Sequence, residues 1–200
     1  DAVCCAAHRA DCPFPQEMRY ELPGLVIDNC AMAGRSSKTF REEGRLDDIA
    51  AHIRPGDLLV VSFGHNDANR AKAERYVPAD AFGESLRPFW DAARSHGAVC
   101  IFASPVAMRE FDEAGVCHPS FAAYREAMRA FAAEVGAPFI DLGAATAAAN
   151  TAFGAERCKA RYMWVGAKQD NAHQQNAGAC RTAQALSLIH ISEPTRLALI

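Results

Sequence analysis

Three short polar stretches, residues 29–37, 64–67 and 169–173, hold the side chains whose types and spacing suit chemistry. In the third stretch, Asp170 and His173 stand three positions apart. A carboxylate at this spacing can hold one imidazole nitrogen, which leaves the other nitrogen to act as a general base. We therefore predict that Asp170 and His173 form the base half of a nucleophile triad.

The first two stretches offer hydrogen-bond donors for a developing oxyanion. Gly34 has no side chain, so its backbone N–H can approach a reacting carbonyl group. The side-chain amide of Asn66 can supply a second donor. These stretches do not provide a clear nucleophile. Ser36 and Ser37 are the candidates, but their sequence gives no sign of the sharp strand-to-helix elbow that exposes a nucleophilic serine. We predict that both serines instead satisfy backbone groups ahead of a helix.

Further polar and aromatic residues are predicted to support this site. Arg35 either orients its loop or a polar substrate, or it forms a structural salt bridge. We expect His65 to position the loop that carries Asn66, and Asp67 to accept backbone N–H groups. Trp164 precedes the third stretch, where it suits either stacking on a sugar ring or anchoring the loop.

The elements that must position these residues are strands of a parallel sheet. The apolar run over residues 57–63 predicts a buried strand that ends abruptly at Gly64. Shorter strands are predicted over residues 25–29, 98–103 and 138–142. In an open α/β sheet, ligands bind beyond the carboxyl ends of the strands, which is where Gly64 and its successors fall.

Helices are predicted between the strands. Thr39 is expected to cap the first helix, with Glu42 completing a capping box, and Ser120 to cap a later one. Two more are predicted over residues 79–95 and in the alanine-rich stretch that ends near Phe153. Strands and helices alternate with links too short for antiparallel returns, which predicts a three-layer α/β/α fold.

Length and composition indicate one globular domain. Half of the 200 residues are hydrophobic and 22% are charged, which argues against disorder. The net charge of −3, with scattered Lys and Arg, predicts no nucleic-acid partner, and no apolar run suits a membrane span. The eight cysteines form no Cys-x-x-Cys pair, so neither zinc nor a redox motif is predicted. Oligomeric state and compartment stay open.

The last fifteen or so residues differ from the rest of the chain. Residues 186–200 resemble the in-frame translation of a sequencing-library adapter, so we exclude them from the predicted fold. The expected division is therefore a domain over residues 1–185 and a non-native tail over residues 186–200. We expect the domain to be truncated at both ends.

Taken together, the three stretches resemble the motifs of the SGNH (GDSL-like) hydrolases, in particular the rhamnogalacturonan acetylesterase-like branch. They occur in the family's order between about residues 29 and 178. The matching residues are Asn29-x-Ala31-x-x-Gly34-Arg35-Ser36-Ser37, Phe63-Gly64-His65-Asn66-Asp67 and Asp170-Asn171-x-His173. The resemblance implies a flavodoxin-like serine esterase that needs no metal or other cofactor. Its implied substrate is an acetylated carbohydrate of the pectic or xylan type.

The resemblance also implies roles for individual residues. His173 would be the general base and Asp170 its orienting partner. Gly34 and Asn66 would be two of three oxyanion donors.

The nucleophile would be a serine in a Gly-Asp-Ser block at the end of the first strand. The sequence contains no such block. Either Asp1 is its aspartate and Ala2 stands where the serine belongs, or the block lies upstream. Because loss of a triad nucleophile costs on the order of a millionfold in turnover, we predict that the chain as given is inactive.

Two functions from other classes stay open. Residues 64–67 partly match the Gly-Asn-His-Asp motif of metallophosphoesterases, but the order is transposed and the companion metal-binding runs are missing. Bound manganese, iron or zinc would favour that alternative. If Ala2 is native, the protein is instead a carbohydrate-binding pseudoenzyme, which would bind sugar without turnover.

Overall fold

The computed structural model of the protein describes residues 17, 18, 21, 25–187 and 196–199. Within these residues, five parallel strands form one sheet in the order β1-β7-β2-β3-β4, and a separate hairpin pairs β5 with β6. The strands are β1 (Val26–Asn29), β2 (Leu58–Val61), β3 (Val99–Ala103), β4 (Phe139–Ile140), β5 (Tyr162–Val165), β6 (Lys168–Gln174) and β7 (Arg196–Leu199). The predicted α/β fold with a parallel sheet is confirmed.

Helices lie between the strands in the described part of the chain. They are α1 (Ser37–Glu42), α2 (Arg45–Ala50), α3 (Ala79–Ser95), α4 (Ala122–Val135), α5 (Leu142–Phe153) and α6 (Asn176–Ser187), with a 3₁₀ helix over Arg157–Arg161. No helix among these residues is long and apolar enough to cross a membrane.

The core has two sides because alternate residues of a strand point to opposite faces of the sheet. Leu59 and Val61 of β2 pack in a cluster with side chains of α1, α3 and α4. Leu58 and Val60 pack in a second cluster with side chains of α5 and α6. All four residues of β2 are buried, so this strand lies at the centre of a three-layer structure.

The first helix begins earlier than predicted, and Thr39 is not its cap. Ser36 is the N-cap: its Oγ accepts from the Thr39 N–H at 3.2 Å, and Thr39 Oγ1 accepts from the Ser36 N–H at 3.0 Å. This reciprocal pair forms the capping box that we assigned to Thr39 and Glu42. The single predicted helix is divided at Gly44, whose φ of 75° favours glycine.

The predicted cap of α4 is also wrong. Ser120 Oγ accepts from the backbone N–H of Met108 at 2.9 Å, so it is engaged by the loop that follows β3. The helix begins at Ala122, after Phe121, which adopts a left-handed backbone with φ 55°.

The third polar stretch was predicted as a loop, but it lies in β6 of an antiparallel hairpin. Its residues are polar on both faces, so no apolar alternation marked them as a strand. Trp164 pairs with Gln169, and Tyr162 pairs with Gln174, with a register shift between them. Residues 170–173 therefore form a bulge opposite Met163, and such bulges are used to re-aim side chains near active sites.

Part of the predicted non-native tail lies inside the sheet. Residues 196–199 of β7 pair with β1 on one side, and residues 197–199 pair with β2 on the other. Among the described strands, β7 is the one that joins β1 to the rest of the sheet. Whether this segment is native stays a prediction, and Asp1 and Ala2 lie outside the described residues.

Candidate active site

The three polar stretches meet at one pocket beyond the carboxyl ends of β1 and β2. The chain leaves β1 at Asn29 and leads to Gly34, and it leaves β2 at Val61 and leads to His65 and Asn66. The pocket has a volume of about 360 Å³. Its lining residues are Gly34, His65, Asn66, Asn69, Arg75, Met108, Phe121, Ala172 and His173.

Asp170 and His173 are in direct contact. Asp170 Oδ2 lies 2.7 Å from His173 Nδ1, and Asp170 Oδ1 accepts from the backbone N–H groups of Ala172 and His173 at 2.9 and 3.0 Å. Burial alone would raise the pKa of Asp170, but these hydrogen bonds outweigh burial and lower it. An ionised Asp170 holds a proton on His173 Nδ1, which leaves Nε2 as the nitrogen that can accept a proton.

Gly34 and Asn66 come from loops that follow different strands. Gly34 has φ 76°, a conformation that favours glycine. Asn66 Nδ2 donates to the backbone carbonyl of Arg35 at 3.1 Å, and its Oδ1 accepts from Arg75 Nη1 at 2.9 Å. Within the described residues, the second N–H of the Asn66 amide has no protein acceptor, so it is available to a ligand in the pocket.

Asp67 joins the same two loops from beneath the pocket. Its Oδ1 accepts from the Ser37 N–H at 2.9 Å and from Ser37 Oγ at 2.6 Å, and its Oδ2 accepts from the Gly64 N–H at 3.0 Å. The residue is completely buried. Burial raises the pKa of Asp67 in spite of these donors. Asp67 therefore fixes the relative position of the loops that carry Gly34 and Asn66.

His65 lines the pocket but is unsuited to proton transfer. Burial lowers its pKa to about 3, so its ring is neutral at physiological pH. Its Nε2 lies 3.0 Å from the carbonyl oxygen of Val106, and its ring contacts Phe121 with centroids 4.7 Å apart. These contacts make His65 and Phe121 one wall of the pocket.

Arg35 and Trp164 lie outside the pocket lining. Arg35 Nε donates to the Glu43 carboxylate at 3.0 Å, so the structural salt bridge is the alternative observed for this residue. Trp164 Nε1 donates to Asn171 Oδ1 at 2.9 Å, and its ring lies 4.8 Å from the Arg109 guanidinium. Trp164 thus anchors the hairpin that carries Asp170. Of its two predicted roles, anchoring the loop is the one observed, and not stacking on a sugar ring.

No serine, threonine or cysteine lines the pocket among the described residues. Ser36 caps α1, and Ser37 Oγ is bonded to Asp67, so neither hydroxyl is in position to act as a nucleophile. The described residues also contain no group of three or more His, Cys, Asp or Glu side chains that could hold a metal ion.

Sequence reasoning missed Arg75 and Phe121. Neither belongs to a recognisable motif, and the contacts of Phe121 with His65 and of Arg75 with Gly34 join residues far apart along the chain. The available signals were weak: Arg75 lies in the polar segment after β2, and Phe121 directly precedes a helix whose aromatic residues belong to the core.

A second cavity, of about 270 Å³, lies beside β1 and α2. It is lined by Asp28, Asp48, Asp57 and His52 among others. His52 Nδ1 lies 2.8 Å from a backbone carbonyl rather than from a carboxylate. Among the described residues, His52 is thus not paired with a carboxylate as His173 is in the first pocket.

Comparisons with known proteins identify the family of the chain. The sequence model of the GDSL-like lipase/acylhydrolase family matches residues 3–178. The chain is 37% identical over 170 residues to rhamnogalacturonan acetylesterase RhgT of Bacillus subtilis, covering 80% of this chain and 72% of that protein. It is 38% identical over 161 residues to probable rhamnogalacturonan acetylesterase YesY of the same organism, covering 80% and 74%.

Solved structures show the same fold. The crystal structure of the Bacillus subtilis protein YxiM superimposes with a TM-score of 0.82 at 26% identity, covering 92% of this chain and 52% of that one. This chain thus spans about half of that structure. Axe2, an acetylxylan esterase from Geobacillus stearothermophilus, superimposes with a TM-score of 0.56 at 17% identity, which bears on the fold alone.

Proposed function

The chain belongs to the GDSL-like lipase/acylhydrolase family, and we propose that its pocket serves to remove acetyl groups from a carbohydrate through an acyl-enzyme. The observation that carries the proposal is the contact of 2.7 Å between Asp170 and His173, in a pocket shared with Gly34 and Asn66. A base with an oriented partner, next to oxyanion donors, is the arrangement that acyl transfer needs.

In the proposed reaction, a serine hydroxyl attacks the acetyl carbonyl carbon while His173 Nε2 takes its proton. Asp170 stabilises the imidazolium ion that results. The negative charge on the carbonyl oxygen is met by the Gly34 N–H and by the free N–H of Asn66. The imidazolium then protonates the departing sugar hydroxyl, and a water molecule activated by His173 hydrolyses the acetyl-serine to acetate.

The serine is expected on the strand that lies between β1 and β2. In this structure β7 holds that position, and its Leu199 is paired with Asn29 at the carboxyl edge. A residue that follows a strand in this position would lie between the loops of Gly34 and Asn66. Because the family's nucleophile is the serine of a Gly-Asp-Ser block, we expect such a block there in the gene product; the 200 residues of this chain contain none.

The substrate class is inferred from the relatives. RhgT and YesY are named for rhamnogalacturonan, and at 37–38% identity they favour an acetylated pectic polysaccharide. Axe2 is named for acetylxylan, and its likeness is to the fold alone. Acetylated rhamnogalacturonan is therefore the first substrate to assay, with acetylated xylan as the comparison.

The test begins with the native coding DNA on both sides of the region that encodes this chain. The gene product is assayed for acetate release from both polysaccharides, with His173→Ala and the present 200-residue chain in parallel. We expect release by the gene product alone. Sugar binding without release would support the pseudoenzyme, and stoichiometric bound metal with phosphoesterase activity would support the metallophosphoesterase; either result would overturn the proposal.

A further inference from the structure

Arg75 joins the two loops that carry the expected oxyanion donors. Its Nη1 donates to the Gly34 carbonyl oxygen at 3.0 Å and to Asn66 Oδ1 at 2.9 Å. Gly34 follows β1 and Asn66 follows β2, so a single guanidinium nitrogen bridges both loops at the pocket. The same loops are also connected by Asn66 Nδ2, which donates to the Arg35 carbonyl, and from the buried side by Asp67.

The chemistry of the guanidinium determines which way the Asn66 amide faces. A guanidinium can only donate hydrogen bonds, so the atom that faces Arg75 must be the amide oxygen. The amide nitrogen then faces the Arg35 carbonyl, 3.1 Å away, and directs its second N–H elsewhere. Arg75 and the Arg35 carbonyl thus favour the same orientation, in which Asn66 presents a donor to the pocket.

The charge of Arg75 is not offset locally. Among the described residues, no carboxylate is paired with this side chain, and its buried Nε has no hydrogen-bond partner. A positive charge bonded to Oδ1 polarises the amide and makes its N–H a stronger donor. In a partly buried pocket such an effect is screened less than at the surface.

We propose that Arg75 is a positioning residue for the oxyanion hole: it fixes and polarises the Asn66 amide and holds Gly34 beside it. This inference deepens the proposed function and rests on it, because the donors matter only if an oxyanion develops between them. The contacts themselves can be tested in the 200-residue chain without any turnover.

The first test follows the side-chain amide of Asn66 by ¹⁵N–¹H NMR in the 200-residue chain, with the signal assigned from its loss in Asn66→Ala. We expect the signal to move in Arg75→Met and to return towards its original position in Arg75→Lys, whose ammonium group also donates only. Arg70→Met is the control, since Arg70 is exposed in the same segment and contacts Tyr76 instead.

An Asn66 signal that stays in place in Arg75→Met, or moves as far in Arg70→Met, would overturn the inference. If Arg75→Met does not fold, Arg75→Leu provides the same comparison, because it also removes both the donor and the charge. Thermal unfolding of each variant separates loss of the amide contact from loss of the fold.

The second test uses the gene product once it is shown to release acetate. Because removing one oxyanion donor costs about 10²–10³ in kcat, we expect Arg75→Met to lower kcat about 10- to 100-fold with KM nearly unchanged. Arg75→Lys should recover most of this loss. An unchanged kcat, or a rise in KM alone, would refute the positioning role. A gene product without esterase activity would instead refute the proposed function, while the NMR result still decides the contact.

Discussion

At the scale of single residues, the pocket depends on carboxylates with different surroundings. Asp170 is bonded to His173, which lines the pocket, and its hydrogen bonds lower its pKa, so it is charged and can stabilise an imidazolium ion. Asp67 is fully buried, and burial raises its pKa. The first is suited to act on a histidine, and the second to hold two loops together.

Replacing Asp170 by Asn should abolish most of the activity of the gene product. The amide cannot stabilise an imidazolium ion and favours the wrong tautomer of His173, so kcat should fall about 10⁴-fold. Lys168→Gln is the matched control, because this exposed ammonium group lies 3.7 Å from the same carboxylate. A kcat for Asp170→Asn within tenfold of the wild type would remove Asp170 from the proposed reaction.

Replacing Asp67 by Asn should destabilise the fold. The amide would direct a donor at the N–H of Gly64 or at Ser37, so a buried hydrogen bond would be lost at a cost of about 2 kcal/mol. Urea unfolding of the 200-residue chain measures this loss. Asp91→Asn, at an exposed position of α3, should change the free energy of unfolding by less than about 0.5 kcal/mol. Equal stabilities of the two variants would contradict the structural role of Asp67.

At the scale of elements, α4 and α5 are joined by one carboxylate at the end of β4. Asp141 Oδ1 accepts from the Ala144 N–H as the N-cap of α5, and it also accepts from Arg125 Nε at 2.7 Å. Asp141 Oδ2 accepts from Arg129 Nη2 at 2.6 Å. Burial would raise the pKa of Asp141, but these partners lower it well below its ordinary value.

The stability that Asp141 provides should therefore depend on pH. A carboxyl with a lowered pKa in the folded state stabilises the fold above about pH 4 and loses this effect as the pH falls further. Asp141→Asn keeps the N-cap but loses the charge, and should cost about 1–2 kcal/mol at pH 7. The difference from the wild type should shrink below pH 4 in urea unfolding. Glu126→Gln, which removes a more exposed partner of the same arginines, should cost less than about 0.5 kcal/mol. A loss that is independent of pH would be inconsistent with these ion pairs.

The strand β7 provides a second prediction at this scale. Proline at position 197 would remove a backbone N–H from an interior strand, so Leu197→Pro should lower Tm by roughly 5–10 °C. Leu197→Ile keeps the backbone donor and is the control. Amide hydrogen exchange in β1 should also become faster in the proline variant. If Tm and exchange are unchanged, residues 196–199 do not hold the position between β1 and β2.

At the scale of the whole molecule, the sequence was sufficient to predict the layers but not every element. The alternation of apolar strands with amphipathic helices predicted the three-layer fold, because burial on both faces of β2 requires a continuous apolar run. The hairpin of β5 and β6 was missed since residues 168–174 are polar apart from Ala172 and show no apolar alternation. The strand β7 was not predicted, because residues 186–200 resemble an adapter translation and were assigned to a non-native tail.

For the site, too, the sequence predicted some residues and not others. Asp170, His173, Gly34 and Asn66 were predicted from short spacings and a family resemblance, and the structure brings His173, Gly34 and Asn66 to one pocket with Asp170 bonded to His173. Arg75 was not predicted, since its contacts with the donor loops depend on how the chain packs. Spacing along the sequence reveals local pairs, whereas contacts across loops need the fold.

The most direct test of the central claim is to identify the residue that a fluorophosphonate probe labels in the gene product. Such a probe phosphonylates a serine that a histidine has activated. We predict a single labelled peptide that contains the serine of the Gly-Asp-Ser block, a labelling rate that collapses in His173→Ala, and no label on the 200-residue chain. Label on Ser36 or Ser37, or a rate that does not depend on His173, would contradict the account.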